Sequence, residues 1–444
     1  MNAEGKRVLI VGLGESGKAA AHFFAAQGAI VTATDQRTEE QLREGAEELR
    51  GLGVKLRLGG HPESLFLEQD LIVPSPGVPW DLQELRAARL RGIGVMGELE
   101  VAAGLLRGPV IGITGTNGKT TTTALIGHIL QSAGWQARTG GNLGTPVLAM
   151  VADSTPQTWN VLELSSFQLE AASSFVVNIA VVLNVTPDHL DRHHTMEDYA
   201  AAKARIMRAQ TAEHHVVLNA DDEVCRGFSR QAQGHVCWFS RTRELAAGAA
   251  LRGGWIVFGG KPVAKADLPI KGAHNVENAL AAVAAASLAG VSAEYIAEAL
   301  RDFQPVEHRL EFVRTLAGVD YYNDSKATNV DASIKAVEAF EKGLWVILGG
   351  SDKGADFSAL REPLRQRARG ALLIGHSAQM IGEQLEGAVV CYSAATLARA
   401  VEMASQKARP GDTVLLAPAC ASFDQFENYG HRGRVFKEFV GSLE

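Results

Sequence analysis

Lys119 and Thr120 close a glycine-rich run, Gly112-Ile113-Thr114-Gly115-Thr116-Asn117-Gly118-Lys119-Thr120-Thr121, between an apolar segment beginning at Pro109 and a predicted helix over Thr120–Gln131. Glycines let successive backbone N–H groups wrap a polyphosphate. The lysine offsets phosphate charge, and the following hydroxyl can ligate Mg²⁺. The strict phosphate-loop pattern has a glycine where this chain has Ile113, so the loop is a variant in which Gly115 takes over part of the turn. Glu163 ends the predicted strand Asn160–Leu164 and precedes Ser165-Ser166-Phe167-Gln168. A carboxylate at a neighbouring strand end suits a metal in a phosphate-loop fold, and it equally suits an ordinary strand terminus.

A second turn, Gly12-Leu13-Gly14-Glu15-Ser16-Gly17, also joins a strand to a helix, and Asp35 ends the next strand roughly 20 residues on. That spacing fits dinucleotide binding, with the carboxylate on a ribose hydroxyl. It also fits any nucleotide diphosphate on a helix N-terminus, or a tight turn alone. Asp188-His189-Leu190-Asp191-Arg192-His193-His194 follows a third strand. Its histidines allow a zinc site, a histidine facing metal-bound phosphate, or a solvated loop. Lys203 falls in a helical stretch, Glu197–Ala209, where composition alone reads it as a surface lysine. Asn275 reads as the N-cap of an alanine-rich helix over Val276–Ala289, and its amide and that of Asn278 can also bond a base or phosphate.

The elements that must position these residues alternate. Runs such as Arg7–Val11, Ile30–Thr34, Leu71–Pro74, Pro109–Thr114, Asn178–Asn184, Trp345–Leu348, Ala371–Ile374 and Thr413–Ala417 are apolar on both faces and are separated by helical stretches. Strands buried on both faces belong to parallel sheets, so the fold class is α/β. At ~150 residues per domain, 444 residues suggest about three domains. Breaks near Arg91–Gly97 and Gln304–Pro305 divide the chain into 1–97, 98–305 and 306–444. In the last third, Asn323-Asp324-Ser325-Lys326-Ala327-Thr328-Asn329, Gly349-Gly350-Ser351-Asp352-Lys353 and Pro418-Ala419-Cys420-Ala421-Ser422-Phe423-Asp424-Gln425-Phe426 each follow a strand. They predict one polar rim suited to a carboxylate-bearing ligand.

Composition narrows the partners. Lys plus Arg number 43 against 50 Asp plus Glu, a net charge of −7, which disfavours nucleic acid and anionic membranes as partners. Four cysteines without CxxC spacing fit reduced thiols. No apolar run reaches the ~18 residues of a membrane span, so a cytoplasmic protein is expected.

The combination resembles the Mur ligase family of ATP-dependent amide-forming enzymes in peptidoglycan precursor synthesis. GTNGKTT, ELSSFQL, DHLDRH and GAHNxxN look like its central domain, and NDSKATN with PACASFDQF looks like its D-glutamate-adding branch. The resemblance covers essentially the whole chain. It implies an N-terminal Rossmann-like UDP-binding domain, a central ATPase-like domain and a C-terminal Rossmann-like domain binding D-glutamate. The substrates it implies are UDP-N-acetylmuramoyl-L-alanine and D-glutamate. Glu15, Ser16, Asp35, Gln36, Arg37, Ser75 and Gly77 would contact the UDP group. Asn142, Ser165, Gln168 and His189 would serve the rest of that substrate. Gly115, Thr116, Asn117, Gly118, Lys119, Thr120 and Thr121 would hold ATP, with Asn275, Asn278, Arg309, Asp324 and Lys326. Thr120 and Glu163 would ligate one Mg²⁺, and His189 and a carbamylated Lys203 a second. Lys119, Glu163, His189 and Lys203 are thus the implied catalytic set. Thr328, Lys353, Ser422, Phe423 and Tyr429 would form the D-glutamate pocket, with Tyr429 where phenylalanine is the expected aromatic. A monomer is expected. Sister ligases with another acceptor, including folylpolyglutamate synthase-like enzymes, share the central domain. An NAD-dependent oxidoreductase would leave the second glycine loop without a purpose, and a nucleotide-driven switch would leave the outer rims without one.

Overall fold

The computed structural model describes residues 2–352 and 354–443. Three sheets account for the alternation seen in the sequence, and the chain divides into two compact units.

The first unit comprises Met1–Val185, Arg192–Ala264 and Leu280–Glu298. Its N-terminal sheet contains β1 (Arg7–Val11), β2 (Ile30–Asp35), β3 (Lys55–Leu58), β4 (Leu71–Pro74) and β5 (Gly94–Val95), in the order β3-β2-β1-β4-β5. Every pairing is parallel. The order reverses beside β1, and the crevice beyond the strand ends at such a reversal is where open α/β sheets take ligands. Val8 to Val11 are fully buried, as a strand covered on both faces requires. Helix α1 (Glu15–Ala26) runs from the glycine turn after β1.

The central sheet contains β6 (Val110–Thr114), β7 (Ala137–Gly141), β8 (Trp159–Glu163), β9 (Ile179–Val182), β10 (His215–Asn219), β11 (His235–Ser240), β12 (Ala249–Arg252), β13 (Trp255–Phe258) and β14 (Lys261–Lys265). Their order is β14-β13-β12-β11-β10-β9-β6-β8-β7. The strands from β7 to β12 pair in parallel, and β13 turns antiparallel to β12. The turn-rich stretch after Asn219 thus closes one edge of the sheet. One apolar cluster runs beneath both sheets, joining Val8, Ile10 and Phe24 to Val147, Leu148, Leu162 and Leu164. Helix α2 (Lys119–Ser132) leaves β6, and α3 (Ser166–Glu170) leaves β8. Helix α4 (Met196–Ala204) is capped by the Thr195 hydroxyl and tightens into a 3₁₀ turn at Arg205–Met207, ending earlier than the sequence pattern suggests.

The second unit comprises Thr186–Asp191, Lys265–Ala279 and Ala299–Glu444. Its sheet contains β15 (Glu311–Leu316), β16 (Val319–Asn323), β17 (Leu344–Gly349), β18 (Ala368–Ile374), β19 (Cys391–Ala395) and β20 (Thr413–Leu416). The order is β15-β16-β20-β17-β18-β19. β15 and β16 form an antiparallel hairpin and the rest pair in parallel. This order sets the ends of β16, β20 and β17 side by side, so the three polar segments predicted to share a rim do share one. Helix α5 (Ala273–Ala289) begins two residues before Asn275. Asn275 is therefore inside the first turn and is not the N-cap. Its amide donates to the Lys271 carbonyl at 2.6 Å.

Candidate active site

The phosphate-type loop is built by its glycines and by one asparagine. Gly115 has φ +152°, and a Cβ there would lie 3.0 Å from Leu183 Cβ and 3.3 Å from the Asn184 nitrogen. Gly118 opens α2 at φ +86°, in the left-handed region. Asn184 fastens the loop between them. Its carbonyl accepts from Thr116 N–H at 2.9 Å and its Oδ1 from Asn117 N–H at 2.8 Å. Its Nδ2 donates to the Asn117 carbonyl at 3.1 Å. Asn184 is a site residue that the sequence alone did not single out, although it ends the predicted strand Asn178–Asn184 and strand ends carry the other candidates.

Lys119 folds back on the loop, its Nζ donating to the carbonyls of Gly115 at 2.8 Å and Thr116 at 2.7 Å. Thr120 donates its hydroxyl to Glu163 Oε2 at 2.7 Å. Asn142 donates its amide to Glu163 Oε1 at 3.0 Å and its backbone N–H to the Glu163 carbonyl at 2.8 Å. Glu163 is only 2% exposed. A hydroxyl and a carboxylate held this close offer hard oxygen donors, the set that Mg²⁺ takes. Thr121 is buried one residue further along α2.

Lys203 is not the surface residue that composition suggests. It is 1% exposed, its Nζ donates to the Gly115 carbonyl at 2.8 Å, and it lies 4.4 Å from the Tyr199 ring centroid. Helix α4 thus delivers a second lysine to the same loop. Tyr199 adds a hydroxyl contact to Thr116 at 3.2 Å. Ser165 and Gln168 form a reciprocal capping box at the start of α3, which fixes the chain just after Glu163. His193 is buried, bonded through Nε2 to Ser166 at 2.9 Å and stacked on Phe167. Burial lowers its pKa. Among the described residues it joins no cluster of histidine, cysteine and acidic side chains close enough to share a metal ion.

A cavity of about 510 Å³ opens beyond β1 and β4. Glu15, Ser16, Asp35, Gln36, Arg37, Ser75, Gly77, Asn142 and Gln168 all line it, and Ser165 does not. His61, Val78, Pro79 and Leu82 also line it, and the sequence reading passed over them. His61 had a signal, since it follows a Gly-Gly pair at the end of β3. Asn142 ties the two features together, because it lines the cavity and binds Glu163. Asp35 has its carboxylate filled by four donors. These are Leu13 N–H at 2.7 Å, Arg37 N–H at 2.8 Å, and the Arg37 guanidinium at 3.0 and 2.8 Å. Burial alone would raise its pKa, but the bonds from Arg37 and Leu13 outweigh that and hold it below the usual value.

In the second unit, Asp324 is buried at the end of β16, with Oδ1 unbonded among the described residues. Burial raises its pKa to about 6 against the opposing charge of Arg309. Arg309 Nε is likewise buried without a partner among the described residues. Asn278 donates to Asn275 Oδ1 at 2.9 Å. Lys326 lies 5.3 Å from the Tyr429 ring centroid, and the Thr328 N–H bonds the Lys326 carbonyl. Ser422 is 1% exposed and its neighbour Phe423 is 72% exposed. Lys353 lies outside the described residues. His189 belongs to this unit, at φ +55° beside Asp188, and Asn329 donates to Asp188 Oδ2 at 2.9 Å. Beneath the rim lies Arg432, fully buried and unforeseen. It donates to Ser325 Oγ and to the carbonyls of Ser325, Cys420 and Ala421, fastening two rim segments together.

Comparison with known proteins agrees with this layout. The MurD-like N-terminal domain of Mur ligases matches residues 6–97, the Mur ligase middle domain residues 113–286, and the Mur ligase glutamate ligase domain residues 308–420. The chain is 54% identical to the UDP-N-acetylmuramoylalanine–D-glutamate ligase of Solibacter usitatus, over 100% of this chain and 99% of the relative. It is 52% identical to the same-named ligase of Koribacter versatilis, with the same coverage. In fold it is similar to the UDP-N-acetylmuramate-alanine ligase of Thermotoga maritima, with TM-score 0.66 and 21% identity over 99% of this chain and 100% of that one.

Proposed function

The chain belongs to the Mur ligase family, and from that premise we propose that it joins D-glutamate to UDP-N-acetylmuramoyl-L-alanine in peptidoglycan precursor synthesis. It is an ATP-dependent amide-forming ligase, and Mur ligases use Mg²⁺. The observation that carries the reading is Asn142, which lines the cavity and donates to Glu163, itself bonded to Thr120 of the glycine loop. A substrate in that cavity and a nucleotide on that loop would meet at one carboxylate.

A carboxylate is a poor electrophile, so the alanyl carboxylate is first phosphorylated by ATP. ADP leaves in that step; the D-glutamate amine then attacks the acyl phosphate, and the tetrahedral intermediate loses a proton and collapses to the amide and phosphate. Bound Mg²⁺ supplies charge neutralisation between carboxylate and γ-phosphate. Thr120 and Glu163 would hold one ion. Gly115 to Thr121 would cradle the phosphates, and Lys119 would turn from the loop carbonyls toward them. Asn275, Asn278, Arg309, Asp324 and Lys326 would complete the nucleotide set. The burial of Lys203 against the loop supports its carbamylated role, since a carbamate makes the side chain an oxygen donor. His189 keeps its role at a second Mg²⁺ on the family resemblance alone. Ser16, Gln36, Arg37, Ser75 and Gly77 would take the UDP group, and Thr328, Lys353, Ser422, Phe423 and Tyr429 the D-glutamate. Residues 1–97, 98–305 and 306–444 are the corresponding functional domains, and the enzyme works as a cytoplasmic monomer. Among the described residues, no helix is long and apolar enough to cross a membrane.

The test is ATP-dependent phosphate release with UDP-N-acetylmuramoyl-L-alanine and a panel of D-glutamate, L-glutamate, L-alanine and meso-diaminopimelate. Release should require the UDP-sugar and D-glutamate together. Release with a different amino acid would overturn the acceptor assignment, and release without any acceptor would overturn the ligase reading.

A further inference from the structure

Glu98 is a buried acid that the mechanism does not use. It opens the short helix Glu98–Ala102 and is 3% exposed. Its Oε1 accepts the Leu148 N–H at 3.2 Å, and its Oε2 has no hydrogen-bond partner among the described residues. Burial raises its pKa, and the Ser16 hydroxyl, the Gln168 amide and the N–H groups of Val147 and Leu148 face the carboxyl and oppose that rise.

These neighbours lie on, or just beyond, three of the segments that wall the cavity. Ser16 lies in the first turn of α1, and Gln168 in the capping box of α3. Leu148 lies in the short helix Val147–Met150, which follows the loop carrying Asn142. Ser16, Gln168 and Asn142 all line the cavity, while Glu98 sits behind them and does not. Gln168 in turn accepts from Ser165 N–H at 3.0 Å, two residues from Glu163. One buried carboxyl therefore backs the segments that shape the cavity and lead to the metal-side acid. An acceptor without a hydrogen-bond partner among the described residues is costly in the interior.

We infer that Glu98 is a positioning residue of the UDP-substrate cavity, fixing Ser16, Gln168 and the Asn142 loop from behind. The inference rests on the cavity taking UDP, as proposed above. A glutamine keeps the length and the acceptor for Leu148. An alanine removes both. An aspartate keeps the carboxyl but withdraws it by about 1.5 Å, one C–C bond.

The experiment measures the dissociation constants of uridine diphosphate and of ADP with Mg²⁺, by titration calorimetry on the full chain. The variants are Glu98→Gln, Glu98→Asp and Glu98→Ala. UDP binding should weaken at least tenfold in the alanine and aspartate variants and stay within threefold in the glutamine variant. ADP binding should stay within twofold in all three. The aspartate variant carries the test if alanine fails to fold. Wild-type UDP affinity in the aspartate variant overturns the inference, as does an equal loss of UDP and ADP binding, which would mark a merely structural residue. A wild-type protein that binds ADP but not UDP instead overturns the cavity assignment beneath it.

Discussion

Gly17 and Gly14 belong to the same turn, and substitution by alanine should separate their roles. Gly17 lies in the first turn of α1, where helix propensity alone favours alanine by about 1 kcal/mol. The packing says otherwise. A Cβ on Gly17 would stand 1.9 Å from the Gly12 carbonyl oxygen and 2.6 Å from Ser75 Oγ. Those two atoms share a 2.7 Å hydrogen bond that closes the turn. Relief requires more than 1 Å of movement by backbone. Overpacking costs up to about 3 kcal/mol and the lost hydrogen bond about 1 kcal/mol, so the net loss is about 3 kcal/mol. That lowers the melting temperature by roughly 6–12 °C. Gly14 differs, because its Cβ would meet nothing within 4 Å and its φ of −73° suits any residue. Gly14→Ala should change stability by less than about 0.5 kcal/mol. Since Gly14 lines the cavity, the added methyl should still weaken UDP binding about tenfold, roughly 1.4 kcal/mol. Thermal denaturation and UDP titration of both variants check this. A Gly17→Ala protein that melts with wild type, or a Gly14→Ala protein as destabilised as Gly17→Ala, would refute the packing argument.

Lys203→Ala should lose most amide-forming activity and regain part of it with added short carboxylates; unchanged activity in the variant would remove Lys203 from the mechanism. Arg432→Met should destabilise the second unit by about 3 kcal/mol or more, since three buried carbonyls and a hydroxyl lose their donor; urea denaturation would show it as a lower midpoint. Asp324, at about 6 in the folded chain and near 3.8 when unfolded, binds its proton more tightly when folded. Its contribution is complete below about pH 4 and is lost as the pH rises through 6, a change of about 3 kcal/mol. Asp324→Asn should therefore flatten the fall in urea midpoint between pH 4 and pH 7 relative to wild type, and parallel profiles would refute the assignment.

What the sequence made legible follows from how locally each feature is encoded. Strands buried on both faces appear as unbroken apolar runs, so Arg7–Val11 and Leu71–Pro74 could be read to the residue. The glycine loop and Glu163 were legible because their chemistry sits at strand ends, where turn residues mark the position. Buried charges were not. Lys203, Arg432 and Glu98 have unremarkable neighbours in the chain, and only the packing of distant segments takes them out of water. Asn275 illustrates a different limit. Its residue type fits a cap, but the helix starts two residues earlier, after Gly272 at φ +98°.

Asp35 shows how one local pattern admits two functions until side-chain bonding decides. A carboxylate some twenty residues after a glycine turn can accept a ribose hydroxyl in a dinucleotide site. To do so it needs an open lone pair. A carboxylate has about four acceptor positions on its two oxygens. Here Leu13 N–H, Arg37 N–H and two guanidinium nitrogens of Arg37 fill all four. The acid therefore fixes the glycine turn and anchors Arg37 at the cavity wall, with about half of the Arg37 side chain exposed. A wall that presents arginine and backbone N–H groups suits a diphosphate. The same residues that suggested NAD thus favour a nucleotide-diphosphate substrate once their hydrogen bonds are counted. Arg37→Ala offers the discriminating case: it frees Asp35 as an acceptor while removing the cation, so UDP affinity should fall and NADH should gain none. A gain in NADH binding would show that the turn, and not the arginine, sets the ligand class.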